Sequence, residues 1–384
     1  MEINHQILWL WIKESLNFNN KKTLQLINAL GSVEEVYEAQ DFADCPFITP
    51  DETKLLLKKD LRSAWEVYGD CNENSIGIFT LDDRLYPELL REIDNPPSPL
   101  FYKGHLISSL EKPAITIAGT RRNNGYGEKM TKELTTALSL CGFTIICGVA
   151  DGIDSIAYES ALQADGNIIL VLPFGLLSNS GWKTRHFKDV LARGALISEI
   201  YPRKSSHRHA YHERNRILSG LSDATLITQA PAKSGAIMTA NYAIEQNRDL
   251  YAVMANADME ESIGSNQLIK DGCFPVTEFN DILQHFLPEY EEELDPVSCK
   301  QEKVLSLQEE LQMEKLDEFK KKHLKKLNDH EQKIFSIMDL EEKTADTIIE
   351  QAGLPISEAL QILTTLEYKR LIVSCPGGKF KVIL

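Results

Sequence analysis

Glycines and basic residues gather at the predicted ends of two neighbouring strands. Gly119-Thr120-Arg121-Arg122 follows an apolar, β-branched strand predicted over 114–118, and Gly148 and Gly152 follow the next strand, over 143–147. Backbone at the carboxyl end of a parallel strand, followed by a helix start, presents free N–H groups to anions. Arginine forks beside such groups suit several phosphates in a row. These residue types therefore predict recognition of phosphates.

Two later segments repeat the pattern. Arg214-Asn215-Arg216 begins a predicted helical turn, and Lys233-Ser234-Gly235 follows a strand predicted over 224–228, with Ser234 placed to cap the next helix. The stretch from Lys183 to Arg216 holds nine Lys/Arg against three acids, in a chain of net charge −16. Since distribution matters more than the sum, we interpret Lys183 and these segments as one basic rim for a flexible polyanion.

Each feature also has a plainer interpretation, which the sequence leaves open. Arg214 or Arg216 could form an ion pair with Glu199 or Glu213. The basic stretch could be a solvated loop, and Ser234-Gly235 a simple turn and cap.

Other chemistries fit less well. The first loop reads G-x-x-x-x-x-G-x-G instead of the dinucleotide-binding G-x-G-x-x-G, and Asp151 stands where a pyrophosphate would lie. The histidines between 207 and 212 more often form a polar loop than a zinc site. The runner-up is a nucleotide-binding hydrolase, which needs a carboxylate pair such as Glu199 and Glu245, although no spacing joins them. We predict no cofactor, no metal and no catalytic residue.

The elements that position these residues form several domains. A chain of 384 residues exceeds one ordinary core. Alternating strands, also predicted at 168–172, 195–199 and 250–254, indicate an α/β, doubly wound, Rossmann-like sheet. We predict a helical module over 1–75, the sheet domain over 76–287, a charged linker over 288–327 for which an exposed tether and one long helix are both open, and a winged-helix-like domain over 328–384.

Composition sets further limits. The apolar fraction is 43% and the charged fraction 26%, and no apolar run approaches a membrane span, so we expect no membrane partner. Seven cysteines without a C-x-x-C pair predict reduced thiols, which are typical of a cytosolic protein.

Six ordered blocks carry a family resemblance. They are Ala118-Gly119-Thr120-Arg121, Gly148-x-x-x-Gly152-Ile153-Asp154, Leu196-Ile197-Ser198-Glu199, Arg214-Asn215-Arg216-Ile217-Leu218-Ser219-Gly220-Leu221-Ser222, Ser234-Gly235-Ala236-x-x-Thr239-Ala240 and Gly264-Ser265-Asn266-x-Leu268-Ile269-x-x-Gly272. On these motifs the chain resembles the DNA-processing protein A (DprA, or Smf) family. The match is best over 110–285, and the flanking helical and winged-helix segments also fit.

The resemblance implies a cytoplasmic homodimer without enzymatic activity. Such a protein would bind single-stranded DNA, load the RecA recombinase onto it and protect incoming strands during natural transformation. It also implies phosphate contacts by Arg121, by the Gly148 and Gly152 loop, by Arg214 and Arg216, and by Ser234 and Gly235.

Overall fold

A computed structural model describes residues 4–179, 187–207, 209–298 and 301–383, and only the backbone of 301–311. The chain forms two compact units, residues 1–300 and 301–384. Within the described ranges, no helix combines the length and the apolar character that crossing a membrane requires.

The first unit begins with five helices. They are α1 (His5–Ser15), α2 (Asn20–Leu30), α3 (Val33–Glu38), α4 (Pro50–Lys58) and α5 (Arg62–Glu73). Trp9 and Trp11 of α1 are 1% and 2% exposed and anchor the core of this module. The module also contacts the sheet domain, because the Tyr201 hydroxyl donates to the Leu10 carbonyl over 2.8 Å.

A nine-stranded sheet forms the centre of the first unit. Its strands are β1 (Gly77–Phe79), β2 (Leu100–Gly104), β3 (Ala114–Gly119), β4 (Thr144–Cys147), β5 (Asn167–Val171), β6 (Gly194–Ser198), β7 (Ala224–Gln229), β8 (Asp249–Val253) and β9 (Phe274–Val276). The order is β1-β2-β6-β5-β4-β3-β7-β8-β9. The strands from β6 to β9 in this order are parallel, whereas β1 and β2 pair antiparallel at one edge. The strand order reverses between β3 and β7, the usual ligand crevice of such sheets.

Helices connect these strands. They are α6 (Glu88–Arg91), α7 (Leu106–Leu110), α8 (Gly125–Cys141), α9 (Ile153–Gln163), α10 (Phe187–Arg193), α11 (Ala210–Gly220), α12 (Gly235–Glu245), α13 (Ile263–Lys270) and α14 (Asn280–Phe286). One apolar cluster joins Ile217 and Leu218 of α11 to the sheet, and another joins Ala240 of α12 and Leu268 of α13 to it. Burial on the sheet therefore fixes where α11 and α12 begin.

The second unit is a winged helix. It comprises α15 (Gln301–Leu324), α16 (Asp329–Ile337), β10 (Lys343–Thr344), α17 (Ala345–Ala352), α18 (Ile356–Tyr368), β11 (Ile372–Cys375) and β12 (Lys379–Val382). Asn328 and Glu331 form a capping box that starts α16. The three strands form a small antiparallel sheet in the order β10-β12-β11.

The predicted fold class is confirmed: a Rossmann-like sheet with an N-terminal helical module and a winged helix. The finer domain boundaries stay predictions. One detail was wrong, since Cys141 is disulfide-bonded, whereas Cys45, Cys71, Cys147, Cys273 and Cys375 are free as predicted.

Candidate nucleic-acid interface

Hydrogen bonds through Gln229 join the loops that follow β3 and β7. The Thr120 amide donates to the Gln229 carbonyl over 2.7 Å. The Gln229 side chain donates to Asn124 Oδ1 over 3.0 Å and accepts from the Asn124 amide over 3.1 Å. Asn124 in turn caps α8, because its side chain accepts from the Gly127 amide over 3.0 Å. These bonds fix the start of α8 at the sheet's crevice.

Sequence reasoning missed both Gln229 and Asn124. Each carried a signal that could have been found. Gln229 is a fully buried polar residue at the end of an apolar strand, and Asn124 precedes a helix at the position that favours a capping side chain.

The loop after β4 packs directly on the loop after β3. The Ile153 amide donates to the Thr120 carbonyl over 3.1 Å. Gly152 has a φ of +82°, and a Cβ there would lie 2.4 Å from the Thr120 oxygen and 2.7 Å from Arg121 Cα. Only glycine permits this approach, so Gly152 holds the backbone of Arg121 in place.

Gly148 is required for a different reason. A Cβ on Gly148 would lie 2.2 Å from Asp154 Oδ2 and 2.4 Å from Arg214 Nη1. The glycine therefore leaves room for a buried carboxylate and a buried guanidinium, and its own backbone is buried as well. Gly119 also lacks room for a side chain, because a Cβ there would lie 2.4 Å from Cγ1 of Ile153.

Three cations are exposed on the loops after β3 and β7. Arg121, Arg122 and Lys233 are exposed, and their side-chain nitrogens form no ion pair with any described residue. The Arg121 guanidinium lies over the Tyr211 ring, 5.0 Å from its centroid, which directs the side chain without neutralising it.

The start of α12 is also open. Ser234 caps the helix by accepting from the Ala236 amide over 3.2 Å, and a Cβ added to Gly235 would meet nothing within 4 Å. Asn215 of α11 donates its side-chain amide to the Gly235 carbonyl over 3.1 Å. Asn215 therefore positions this helix start from beneath, and is itself only 7% exposed.

Arg214 does not lie free at the edge. It is 5% exposed, and its Nη1 donates to the Val171 carbonyl over 2.6 Å. It neighbours Asp154, whose pKa is raised to about 6 by burial although the Arg214 charge opposes the rise. The expectation of a phosphate-facing guanidinium is not met here, since Arg214 is a buried support for the β4 loop.

Arg216 is buried in an ion pair. Its Nη2 lies 2.7 Å from Glu199 Oε2, while Lys13 Nζ lies 3.4 Å from Glu199 Oε1. Burial opposes ionisation of Glu199, but Arg216 and Lys13 together hold its pKa below the usual value. The plainer interpretation, an ion pair between Arg216 and Glu199, is confirmed.

Part of the predicted basic stretch is paired elsewhere, although Lys188 and Lys204 are exposed and Arg185 and Arg208 lie outside the described residues. Arg193 binds Asp165, and Arg203 binds Asp70 with an Nε to Oδ2 distance of 2.5 Å. Lys183 lies outside the described residues. Among the described residues, the exposed cations nearest the crevice between β3 and β7 come from the loops after those two strands.

The carboxylates needed for the hydrolase interpretation do not come together as a free pair. Glu199 forms ion pairs with Arg216 and Lys13, and Glu245 is exposed on α12. Across the described ranges, no group of three or more His, Cys, Asp or Glu side chains is arranged to hold a metal ion.

Comparison with known proteins gives consistent matches. A family model described as DNA recombination-mediator protein A matches residues 77–287, and a model described as the DprA winged helix domain matches 320–378. The first model alone covers more than half of the chain.

Individual relatives agree. The chain is 31% identical to Protein Smf of Escherichia coli over 78% of this chain and 76% of that protein. It is 35% identical to Protein Smf of Synechocystis over 60% of this chain, a region that spans only 59% of the Synechocystis protein. The X-ray structure of DNA processing protein A from Streptococcus pneumoniae superposes with a TM-score of 0.65 at 26% identity, covering 74% of this chain and 98% of that one.

Proposed function

The chain belongs to the DprA/Smf family, and from that premise we propose that it binds single-stranded DNA along the carboxyl edge of its parallel sheet. It does so in the cytoplasm as a homodimer, protects incoming strands, and loads the RecA recombinase onto them in natural transformation and recombination. It acts by binding and not by catalysis.

The observation that carries this proposal is the placement of Arg121. It is an exposed, unneutralised guanidinium on the loop at the sheet's crevice, directed by Tyr211 and held from below by Gly152. Arg122 stands beside it, and the open N-terminus of α12 with Lys233 lies on the neighbouring loop. These groups supply point charges and bare amides to phosphates.

The contact set differs from the one predicted from sequence. Arg121, Arg122, Lys233, Ser234 and Gly235 are the groups that meet the DNA in this proposal. A second set supports them from beneath: Gly119, Thr120, Gly148, Gly152, Arg214, Asn215 and Arg216. Because the first set offers charges and amides but few base-reading side chains, binding should depend weakly on sequence and strongly on salt.

The direct test is a binding series on the full chain. Fluorescence anisotropy of a labelled dT oligonucleotide, and of the same length of duplex, is measured from about 50 to 200 mM salt. We expect tighter binding of the single strand and a loss of affinity as salt rises. Equal affinity for the duplex, or binding that ignores salt, would contradict the proposal.

Recombinase loading has a separate test. RecA filament formation on oligonucleotide coated with single-strand-binding protein is followed with and without the chain. We expect the lag to shorten with the wild-type chain and to persist with an Arg121→Ala variant. A lag that the wild type leaves unchanged would remove loading from the proposal while leaving DNA binding intact. Light scattering after size exclusion tests the dimer.

A further inference from the structure

A cavity of about 610 Å³ opens between the helical module and the sheet domain. Its walls come from the turn between α1 and α2 and from the chain that follows β6. It is a different place from the β3 and β7 loops. Its volume is in the range of small-molecule sites, and no step of the proposed function uses it.

The cavity is positively charged in an acidic protein. Four Lys/Arg line it (Lys13, Lys21, Lys204 and Arg216) against two acids, Glu199 and Glu213. Lys21 forms an ion pair with Asp94 over 3.0 Å, and Glu213 lies 3.3 Å from His207, so the excess positive charge comes from Lys13, Lys204 and Arg216. Lys13 and Arg216 are 2% and 7% exposed and share the single carboxylate of Glu199. Lys13 also donates to the Asn20 side-chain oxygen, whereas Arg216 Nη1 is buried without a hydrogen-bond partner among the described residues. A buried cation without a full partner is costly, so an anion in this cavity would be stabilising.

The pKa of Lys13 agrees with this imbalance. That pKa is lowered to about 8, chiefly because burial disfavours the charged ammonium; Glu199 opposes the shift, and the Arg216 charge adds to it. An entering anion would favour the charged form of Lys13 and so raise this pKa.

The rim of the cavity carries an aromatic ring on a strained backbone. Asn17 and Phe18 both have positive φ, of 53° and 62°, a conformation that costs energy for an aromatic residue. This turn leaves the Phe18 ring 40% exposed, edge-on to Tyr201 at 4.9 Å. The Lys204 ammonium lies 3.2 Å from the Phe18 ring centroid. A stacking ring and a cation thus stand together at the entrance.

We propose that this cavity binds a nucleoside monophosphate group, with its phosphate toward Lys204 and Lys13 and its base against Phe18. Asn17, Asn19 and Asn95 also line the cavity and offer amides to polar edges of the base. The group is either a free nucleotide or the terminal nucleotide of a DNA strand. Only the second source rests on the proposed function.

Two variants remove the proposed contacts with little risk to the fold. Phe18→Gly removes the ring and relieves the left-handed backbone, because glycine adopts positive φ readily. Lys204→Ala removes an exposed cation. Lys112→Ala, an exposed lysine before β3, is the matched control for charge.

Calorimetric titration of the full chain with dTMP, thymidine and inorganic phosphate decides the matter. We expect dTMP to bind more tightly than either fragment, Phe18→Gly and Lys204→Ala to weaken it at least tenfold, and Lys112→Ala to leave it unchanged. The 5′-phosphorylated and unphosphorylated forms of one oligonucleotide are then compared on the wild type and on Lys204→Ala. If the 5′-phosphate raises affinity for the wild type only, the ligand is the end of a strand. If dTMP binds but the 5′-phosphate adds no affinity, the ligand is a free nucleotide. Either supports the proposal.

The proposal is overturned if dTMP does not bind, or if the two variants bind dTMP as tightly as the wild type does. It is also overturned if inorganic phosphate binds as tightly as dTMP. Arg121→Ala separates this inference from the proposed function. It should weaken oligonucleotide binding and spare dTMP binding. If Arg121→Ala abolishes dTMP binding while Lys204→Ala spares it, the nucleotide binds at the β3 loop and the cavity inference fails. If only the oligonucleotide fails to bind, the proposed function fails and the cavity stands.

Discussion

The Arg216 guanidinium lies 2.7 Å from the Glu199 carboxylate, and this contact joins α11 to the chain that leaves β6. Both side chains are largely withdrawn from water, at 8% and 19% side-chain exposure. Removing one member of such a pair leaves the other charge buried without its partner, which costs more than the pair itself contributes. Arg216 is therefore a structural residue beneath the proposed interface.

Replacing Arg216 with methionine should destabilise the first unit by about 3 kcal/mol, because Glu199 would retain only the more distant Lys13. Urea unfolding followed by tryptophan fluorescence measures this. All four tryptophans, at positions 9, 11, 65 and 182, precede residue 301 in the sequence, so the second unit, residues 301–384, contributes no tryptophan signal. Lys112→Ala removes an equal charge from the surface and should be neutral. A loss below about 0.5 kcal/mol, the range of ordinary surface substitutions, would contradict the assignment.

Arg121→Ala should weaken binding of a labelled dT oligonucleotide by about 1–2 kcal/mol, the scale of a lost charge-assisted contact. That corresponds to roughly 5- to 30-fold in Kd. Stability should not change, because Arg121 is exposed. Anisotropy at one fixed salt concentration makes the comparison.

The matched control for Arg121 is again Lys112→Ala. Lys112 precedes β3 and so stands at the amino edge of the same strand, away from the proposed interface. Its removal should leave affinity unchanged. If both variants lose affinity equally, binding reflects overall charge, and Arg121 has no special place in it.

Six of the seven parallel strands were predictable to within one residue at either end. The strand predicted at 143–147 is observed at Thr144–Cys147, and the one at 250–254 at Asp249–Val253. Such strands are buried on both faces, so their sequences are short continuous runs of apolar, often β-branched residues bounded by turn residues. The short strands β1, β2 and β9 were missed. The first two flank a proline-rich connection and β9 contains Pro275, signals that favour loops.

The candidate site was predictable only in part. Sequence places Arg121 and Arg216 in similar loop-to-helix contexts, yet one is exposed and the other buried. The difference comes from Glu199, which follows a different strand and which tertiary packing brings to Arg216. Lys13, from the helical module, binds the same carboxylate. A sequence pattern gives the charge of a side chain, but its partner depends on which strand ends are neighbours in the sheet.

Asp154 should make stability fall as pH rises through the acid range. Its folded-state pKa of about 6 exceeds the ordinary aspartate value of 3.8, because burial disfavours the carboxylate although Arg214 opposes the shift. The folded state thus holds the proton more tightly, and that advantage is full below pH 4 and lost by about pH 7. From pH 5 to pH 7 the wild type should lose about 1 kcal/mol relative to Asp154→Asn.

Urea unfolding of both proteins at the two pH values measures this difference, since groups common to both cancel. A difference that stays constant with pH would mean that Asp154 is ionised throughout. Its carboxylate would then be better compensated by Arg214 than their burial suggests.

Gly152→Ala and Gly235→Ala should distinguish a residue that supports the DNA-binding loops from a residue that contacts the DNA. At Gly152 the φ is +82°, and an added Cβ would lie 2.4 Å from the Thr120 oxygen. Alanine should therefore cost about 1–3 kcal/mol of stability. It should also weaken DNA binding, because the clash displaces Arg121. At Gly235 an added methyl meets no protein atom, and alanine favours a helix, so stability should be unchanged or slightly higher. DNA affinity should nevertheless fall, because the methyl group would stand between a phosphate and the helix amides.

Unfolding curves and anisotropy on the same two preparations test this pair. The informative result is Gly235→Ala with full stability and weakened binding, which no structural defect explains. If Gly235→Ala binds DNA as the wild type does, the strand does not approach the start of α12, and the interface reduces to the β3 loop around Arg121.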